Sequence, residues 1–175
     1  MEILEKHNRW SRFKIPHVWW GDHENLPFLN EQFNDPKSLE WWRSLGYTQT
    51  KFTGDMYDMR FEEPEWMDEF RKYLPWDHFS WSIYRMKPGC ALPKHSDLYL
   101  RFRKLHNVDD FSKIRRAIVF LDDWQSGHYF DIDDTPILQW KAGEMVIWES
   151  DVPHCAANVG VTNRYTLQIT GLATD

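Results

Sequence analysis

The chain has 175 residues, enough for one domain to bury a core without disulfide or metal staples. With 21 basic and 27 acidic residues the net charge is −6, which argues against a duplex nucleic-acid partner. No apolar run reaches the roughly 18–20 residues of a membrane span, the opening MEILEKHNRW lacks a signal-peptide stretch, and two cysteines, Cys90 and Cys155, are too few for a disulfide scaffold, so the expectation is a cytoplasmic protein.

The organisation expected is a single domain, 1–175, with a mixed helical part over 1–78 and a β core over 79–175. The first part carries 10 basic and 15 acidic residues and holds most of the acidity. Within it, 36–45 is predicted as a helix with Asp35 as N-cap, Pro36 at the first position and Gly46 as the stop. Residues 47–61 read as one or two strands with a turn at Gly54–Asp55. A second helix is predicted over 64–74, opened by Pro64 and two acids, closed by Arg71 and Lys72, and ended by Pro75.

From Phe79 the hydrophobic period becomes two. Strands are predicted at 79–87, 92–97, 114–121, 128–132, 137–141, 144–149, 154–158 and 164–171. Turn signals separate them at Pro88–Gly89, Asp122–Asp123, Ser126–Gly127, Asp133–Asp134, Ala142–Gly143, Asp151 to Pro153 and Gly160 to Asn163. Eight short strands so punctuated imply a mainly β fold, a sandwich or jelly roll with the N-terminal helices packed outside. Residues 98–113 interrupt the rhythm as a polar, basic insertion.

The chemistry concentrates in Lys94-His95-Ser96-Asp97. Two apart on a predicted strand, His95 and Asp97 face the same way. His154 follows 57 residues after Asp97, behind Pro153 at a strand start. Two imidazoles and a carboxylate on a β scaffold are the ligand set of non-haem Fe(II) oxygenases, which leaves three cis positions open. Arg164 lies ten residues past His154 and shares a strand face with Thr166 and Gln168. A guanidinium beside a hydroxyl suits a carboxylate. An inward arginine also needs an anionic partner to offset its burial.

The stretch PGCALPKHSD…RRAIVFL…WKAGEMVIWESDVPHCAANVG…NRYTLQITG resembles the Fe(II)/2-oxoglutarate-dependent dioxygenases with a double-stranded β-helix (cupin, jelly-roll) core. Within them it is most similar to the aspartyl/asparaginyl β-hydroxylase group, which includes bacterial free-proline cis-hydroxylases. The likeness covers about residues 80–171. It implies that His95, Asp97 and His154 bind Fe(II), that Arg164 binds the distal carboxylate of 2-oxoglutarate, and that O₂ takes the remaining position. The implied reaction is hydroxylation of an unactivated C–H of an amino acid or peptide side chain, with decarboxylation of 2-oxoglutarate to succinate and CO₂. That group often has R-x-H on the third core strand; here the stretch is Arg115-Arg116-Ala117-Ile118, without a histidine.

Arg116 and Tyr84, both on strands that alternate inward, join Thr166 as candidate cofactor contacts. Tyr84 reads more simply as a core residue, and Arg115–Arg116 also as a solvated strand start. Cys90 and Cys155 read as small buried hydrophobes and Trp148 as core. The pairs Trp19–Trp20 and Trp41–Trp42 line a substrate groove or wrap the sheet. His128 lies near the expected site mouth, and His7, His17, His23, His78 and His106 have no ligand spacing. The cations of 101–104 form a solvated segment or a lid, which would favour an anionic substrate or a peptide. Two other classes fit the same residues: a jelly-roll metalloenzyme that does not use 2-oxoglutarate, with Arg164 as a structural ion pair, and a non-catalytic aromatic-rich binding module.

Overall fold

A computed structural model describes residues 1–16, 21–48 and 52–174. In chain order the elements are β1 (Glu2–Lys6), β2 (Trp10–Lys14), β3 (Leu29–Gln32), α1 (Pro36–Ser44), β4 (Thr53–Asp58), α2 (Met67–Tyr73), β5 (Trp76–Met86) and β6 (Ala91–His95). They continue through α3 (Leu100–His106), β7 (Ile114–Phe120), β8 (His128–Ile132), β9 (Thr135–Ile137), β10 (Glu144–Glu149), β11 (His154–Asn158) and β12 (Arg164–Ala173). No helix among the described residues is long and apolar enough to cross a membrane.

Strands β5 to β12 form a jelly roll. One sheet has the order β1-β2-β10-β7-β12-β5-β4-β3 and the other β6-β11-β8-β9, with every pairing antiparallel. Alternation on the central strands divides the core in two. Ala117, Val119, Leu167 and Ile169 point outward and pack with Met67 and Phe70 of α2. Ile118, Phe120, Val146 and Trp148 point inward and pack with Phe130 and Ile132 of the smaller sheet. Arg164, Thr166 and Gln168 alternate with Tyr165, Leu167 and Ile169 along β12, so the polar series faces the space between the sheets.

The expected first helix is present as α1, where the Asp35 carboxylate accepts a 2.7 Å bond from Ser38 N. Four expectations need correction. The first part is less helical than its composition implies, because β1, β2 and β3 extend the large sheet at its two edges. All three are short, β1 and β3 are largely exposed and β2 is half-buried, so they lack a two-residue apolar rhythm. Gly54–Asp55 is not a turn but lies within β4. A Cβ on Gly54 would stand 1.8 Å from Tyr84 Cε2, so glycine is there for a close approach. Asp55 is buried against Arg85 (2.8 Å) and Lys87 (2.8 Å). Burial pushes its carboxyl up, but bonds from Lys87, Asn30 and Arg85 outweigh burial and hold it down at about 2.

The strand expected at 137–141 is β9, shifted to 135–137. Asp133 (φ 50°) and Asp134 (φ 62°) make a two-residue hairpin turn that starts pairing at once. The insertion over 98–113 contains α3 and a short 3-10 turn at 111–113. The pair Trp19–Trp20 and His17 lie outside the described residues.

Candidate active site

His95 closes β6 and His154 opens β11, and the two are direct cross-strand partners. Their ring centroids lie 4.5 Å apart. Asp97 lies just beyond the end of β6, so the chain leaving the strand, and not strand alternation, brings its carboxylate in. Ser96 Oγ donates to Asp151 O at 3.0 Å and pins that exit. His95 Nε2 is 3.7 Å from Asp97 Oδ1, and His154 Nε2 is 3.7 Å from Asp97 Oδ2. One ligand atom from each residue lies within 4.8 Å of the others.

The outer ring nitrogens are already committed. His95 Nδ1 faces Pro93 O at 2.8 Å and His154 Nδ1 faces Val152 O at 3.0 Å. A carbonyl can only accept, so each Nδ1 carries the proton and each Nε2 offers a lone pair to the shared centre. Burial, reinforced by His95, lowers the His154 pKa to about 4 and keeps the ring neutral. Burial alone would raise Asp97, but the Arg116 guanidinium holds its carboxyl below the usual range. Asp97 Oδ2 is buried without a hydrogen-bond partner among the described residues. Two aligned lone pairs and a carboxylate beside them fit a divalent transition metal.

Arg164 opens β12 and is buried, 3% exposed. Its surroundings are aromatic, with Phe120, Phe130 and Trp140 centroids 5.8, 5.8 and 5.5 Å from Cζ. Its Nε has no hydrogen-bond partner, and Nη1 meets only the sulfur of Met86 at 4.0 Å. No carboxylate pairs with it among the described residues. Burial pulls its pKa down to about 10, which leaves it charged at neutral pH. Thr166, buried, is two residues along the same face, and Tyr84 is the cross-strand partner of Thr166. Burial pushes the Tyr84 phenol up to about 12 against the pull of Arg164, so it is a hydrogen-bond donor.

These groups share one cavity of about 280 Å³, lined by His95, Asp97, His154, Tyr84, Arg164 and Thr166 with Phe130 and Trp148 between. Phe130 touches both ends, since its centroid is 6.5 Å from that of His154 and 5.8 Å from the Arg164 Cζ. A larger hollow of about 560 Å³ adjoins it, sharing Asp97, Arg116, Gln168, Phe33, Asn34 and Met56, and walled by α3.

Arg116 does not stand beside Arg164. It pairs across from Thr170, six residues further along β12, which is roughly 20 Å at about 3.3 Å per residue. It donates to Thr170 Oγ1 at 2.6 Å and to Gln168 Oε1, and its Nε is 3.8 Å from Asp97 Oδ2. It therefore flanks the His95, Asp97 and His154 cluster and stands apart from Arg164.

Cys155 is half-buried on the cavity wall and Cys90 is half-buried away from the ligands, so neither is the fully buried hydrophobe expected. Trp148 is core and also abuts His154 at 5.0 Å. His128 is buried, with Nε2 3.2 Å from Thr162 O.

The sequence reading left the contacts of Trp42 open and missed Phe33 and Asn158. Trp42 of α1 is buried, donates to Lys94 O at 2.7 Å and meets the His95 ring edge-on at 5.7 Å. Phe33 touches the other side of that ring at 5.1 Å. Trp41, its neighbour, is exposed. Asn158, within the N-x-G motif, donates to Met86 O and Thr162 O and ties the strand ends below Arg164.

No known protein-family model matches the chain, and no curated protein matches it in sequence. Solved structures do. A Pseudomonas putida prolyl-4-hydroxylase is similar over 87% of this chain and 95% of its own, with TM-score 0.53 and 16% identity. An oxidoreductase of the 2OG-Fe(II) oxygenase family from Burkholderia pseudomallei is similar over 85% of this chain and 74% of its own, with TM-score 0.53 and 11% identity. The fold is shared. At these identities the likeness establishes the jelly-roll architecture, and the chemistry rests on the residues above.

Proposed function

We propose that the protein is an Fe(II)- and 2-oxoglutarate-dependent dioxygenase that hydroxylates an unactivated C–H of an amino acid or peptide side chain. The observation that carries the reading is Arg164, a buried guanidinium without an anionic partner, facing the same cavity as the His95, Asp97 and His154 cluster. A dicarboxylate that reaches the cluster at one end and Arg164 at the other satisfies both. His95, Asp97 and His154 would hold the iron, which when bound supplies the O₂ activation that couples decarboxylation of 2-oxoglutarate to hydroxylation.

The chain's own groups do the rest. Arg164, Thr166 and Tyr84 bind and orient the distal carboxylate. Phe120, Phe130, Trp140 and Trp148 exclude water and strengthen that ion pair. The adjoining hollow receives the substrate next to Asp97 and Arg116. The closest competing reading, a metalloenzyme with Arg164 in a structural ion pair, lacks the acid such a pair needs among the described residues.

The test is anaerobic Fe(II) reconstitution followed by 2-oxoglutarate titration and a turnover screen over free amino acids and peptides. The reading expects a metal-to-ligand charge-transfer band and Fe(II)-dependent succinate. A stable Fe(II) complex that shows neither defeats it.

A further inference from the structure

Tyr99 stands two residues past Asp97 with φ at 50°, the left-handed region, and serves as the N-cap residue of α3. Side chains other than glycine, Asn and Asp seldom adopt that conformation, and it persists where surrounding structure demands it. The ring rests against Phe111, with centroids 5.9 Å apart. The hydroxyl is buried and has no hydrogen-bond partner among the described residues. Asp97 Oδ2 is buried in the same unsatisfied state. Both side chains line the same hollow, and neither oxygen has a hydrogen-bond partner among the described residues.

A carboxylate that ligates a metal through one oxygen leaves the other oxygen needing a donor. Around Asp97 two other nitrogens come near, and neither is within hydrogen-bond distance. His154 Nε2 at 3.7 Å is itself a metal-facing atom. Arg116 is 3.8 Å away through Nε, with its other nitrogens bonded to Thr170 and Gln168. Arg116 is anchored by its two terminal nitrogens, so Tyr99, with its hydroxyl wholly unpaired, is the donor free to turn to Asp97. It also begins the seven-residue helix that walls the 560 Å³ hollow. Leu100 and Leu105 of that helix are mostly exposed, which leaves Phe102 as its buried anchor.

We propose that Tyr99 is a positioning residue: its hydroxyl donates to the non-coordinating oxygen of Asp97, fixes that carboxylate as a one-oxygen ligand, and so couples metal occupancy to the ordering of α3 over the substrate hollow. The inference rests on the metal-centre assignment under Proposed function.

The test uses the full-length protein and Co(II) as a spectroscopic probe that needs no turnover. Tyr99→Phe keeps the ring and its contact with Phe111 and removes only the donor. Co(II) affinity should fall about tenfold, the low end for loss of an outer-shell partner, with a shifted ligand-field spectrum. Hydrogen exchange should show Co(II) protecting amides 100–106 in the parent and protecting them less in the variant at saturating Co(II). An unchanged Co(II) affinity and spectrum in Tyr99→Phe overturns the proposal, even if its melting temperature drops, since that is a structural effect alone. His95→Ala separates the two levels. Loss of Co(II) there with no effect of Tyr99→Phe defeats this inference and spares the metal centre. Retention of Co(II) there defeats both.

Discussion

At the scale of single residues, the site pairs two opposite electrostatic conditions in one cavity. His154 is kept neutral by burial and by His95, while Arg164 stays charged in an aromatic enclosure. Each condition gives a prediction. Arg164→Lys retains the charge and loses the planar fork, so 2-oxoglutarate affinity should fall. A charge-assisted bond contributes about 1.5–3 kcal/mol, which corresponds to roughly 10- to 150-fold in dissociation constant. Fe(II) affinity should stay within a factor of about two to three, and titration of the anaerobic complex checks both numbers. For His154, the folded-state pKa of about 4 lies below the unfolded value of 6.5. The unfolded chain therefore takes up a proton first, and stability falls as pH drops from 6.5 to 4. The full shift is worth about 3 kcal/mol at about 1.4 kcal/mol per pH unit. His23 acts in the opposite sense. Burial lowers its pKa, but Asp122 outweighs burial and raises it, so its contribution is present below pH 6.5 and lost as pH rises. Urea unfolding of metal-free protein across pH 4–7, with His154→Gln beside the parent, isolates the His154 part. The variant's profile should be flatter in that window.

At the scale of elements, β4 and α1 bring the first part of the chain to the site. Gly54 in β4 gives the Tyr84 ring its room, since any Cβ there would penetrate the ring. Gly54→Ala should cost about 1–3 kcal/mol as an overpacking change, and should weaken 2-oxoglutarate binding because the displaced ring is one that faces Arg164. In a Tyr84→Leu background the same substitution should cost much less. A double-mutant cycle by chemical denaturation measures that coupling, and additive costs would mean the ring is not what Gly54 accommodates. On the other side, Trp42 of α1 holds the carbonyl of Lys94, the residue before His95. The Trp41–Trp42 pair was legible as a groove lining or a wrap around the sheet, but its landing place was not, because a local sequence pattern never says against what a side chain packs. The same limit applies to Gly54–Asp55. Locally a glycine and an aspartate signal a turn, and only the cross-strand partner reveals a close approach. In contrast, the strict alternation of Arg164, Thr166 and Gln168 with Tyr165, Leu167 and Ile169 made the inward face of β12 readable from sequence. His95 and Asp97 were also legible as a pair, although the chain's exit from β6, and not strand geometry, turns Asp97 inward.

At the scale of the whole molecule, the jelly roll places its ligands on both sheets. The smaller sheet contributes His95 and His154, and Asp97 follows from it, while the larger sheet contributes Arg164, Thr166 and Tyr84. A metal and a dicarboxylate bound together would therefore bridge the sheets and offset the Arg164 charge, which has no carboxylate partner among the described residues. A group that binds the native state alone adds stability by mass action as RT ln(1 + [L]/Kd), about 2.7 kcal/mol at 100 times Kd. The architecture predicts an order to this effect. Under anaerobic conditions, Fe(II) alone should raise the melting temperature. 2-Oxoglutarate without metal should raise it little, because only the Arg164 end is then anchored. The two together should exceed the sum of their separate shifts. For a chain of this size each kcal/mol is worth roughly 2–4 °C, so a difference of several degrees is measurable by differential scanning calorimetry. Arg164→Met removes the buried charge, and with it the partner of the distal carboxylate. The variant should keep the Fe(II) shift and lose the extra shift from 2-oxoglutarate. An undiminished synergistic shift in Arg164→Met would show that the dicarboxylate is held without the guanidinium, and the bridge between the sheets would have to be reassigned to other residues.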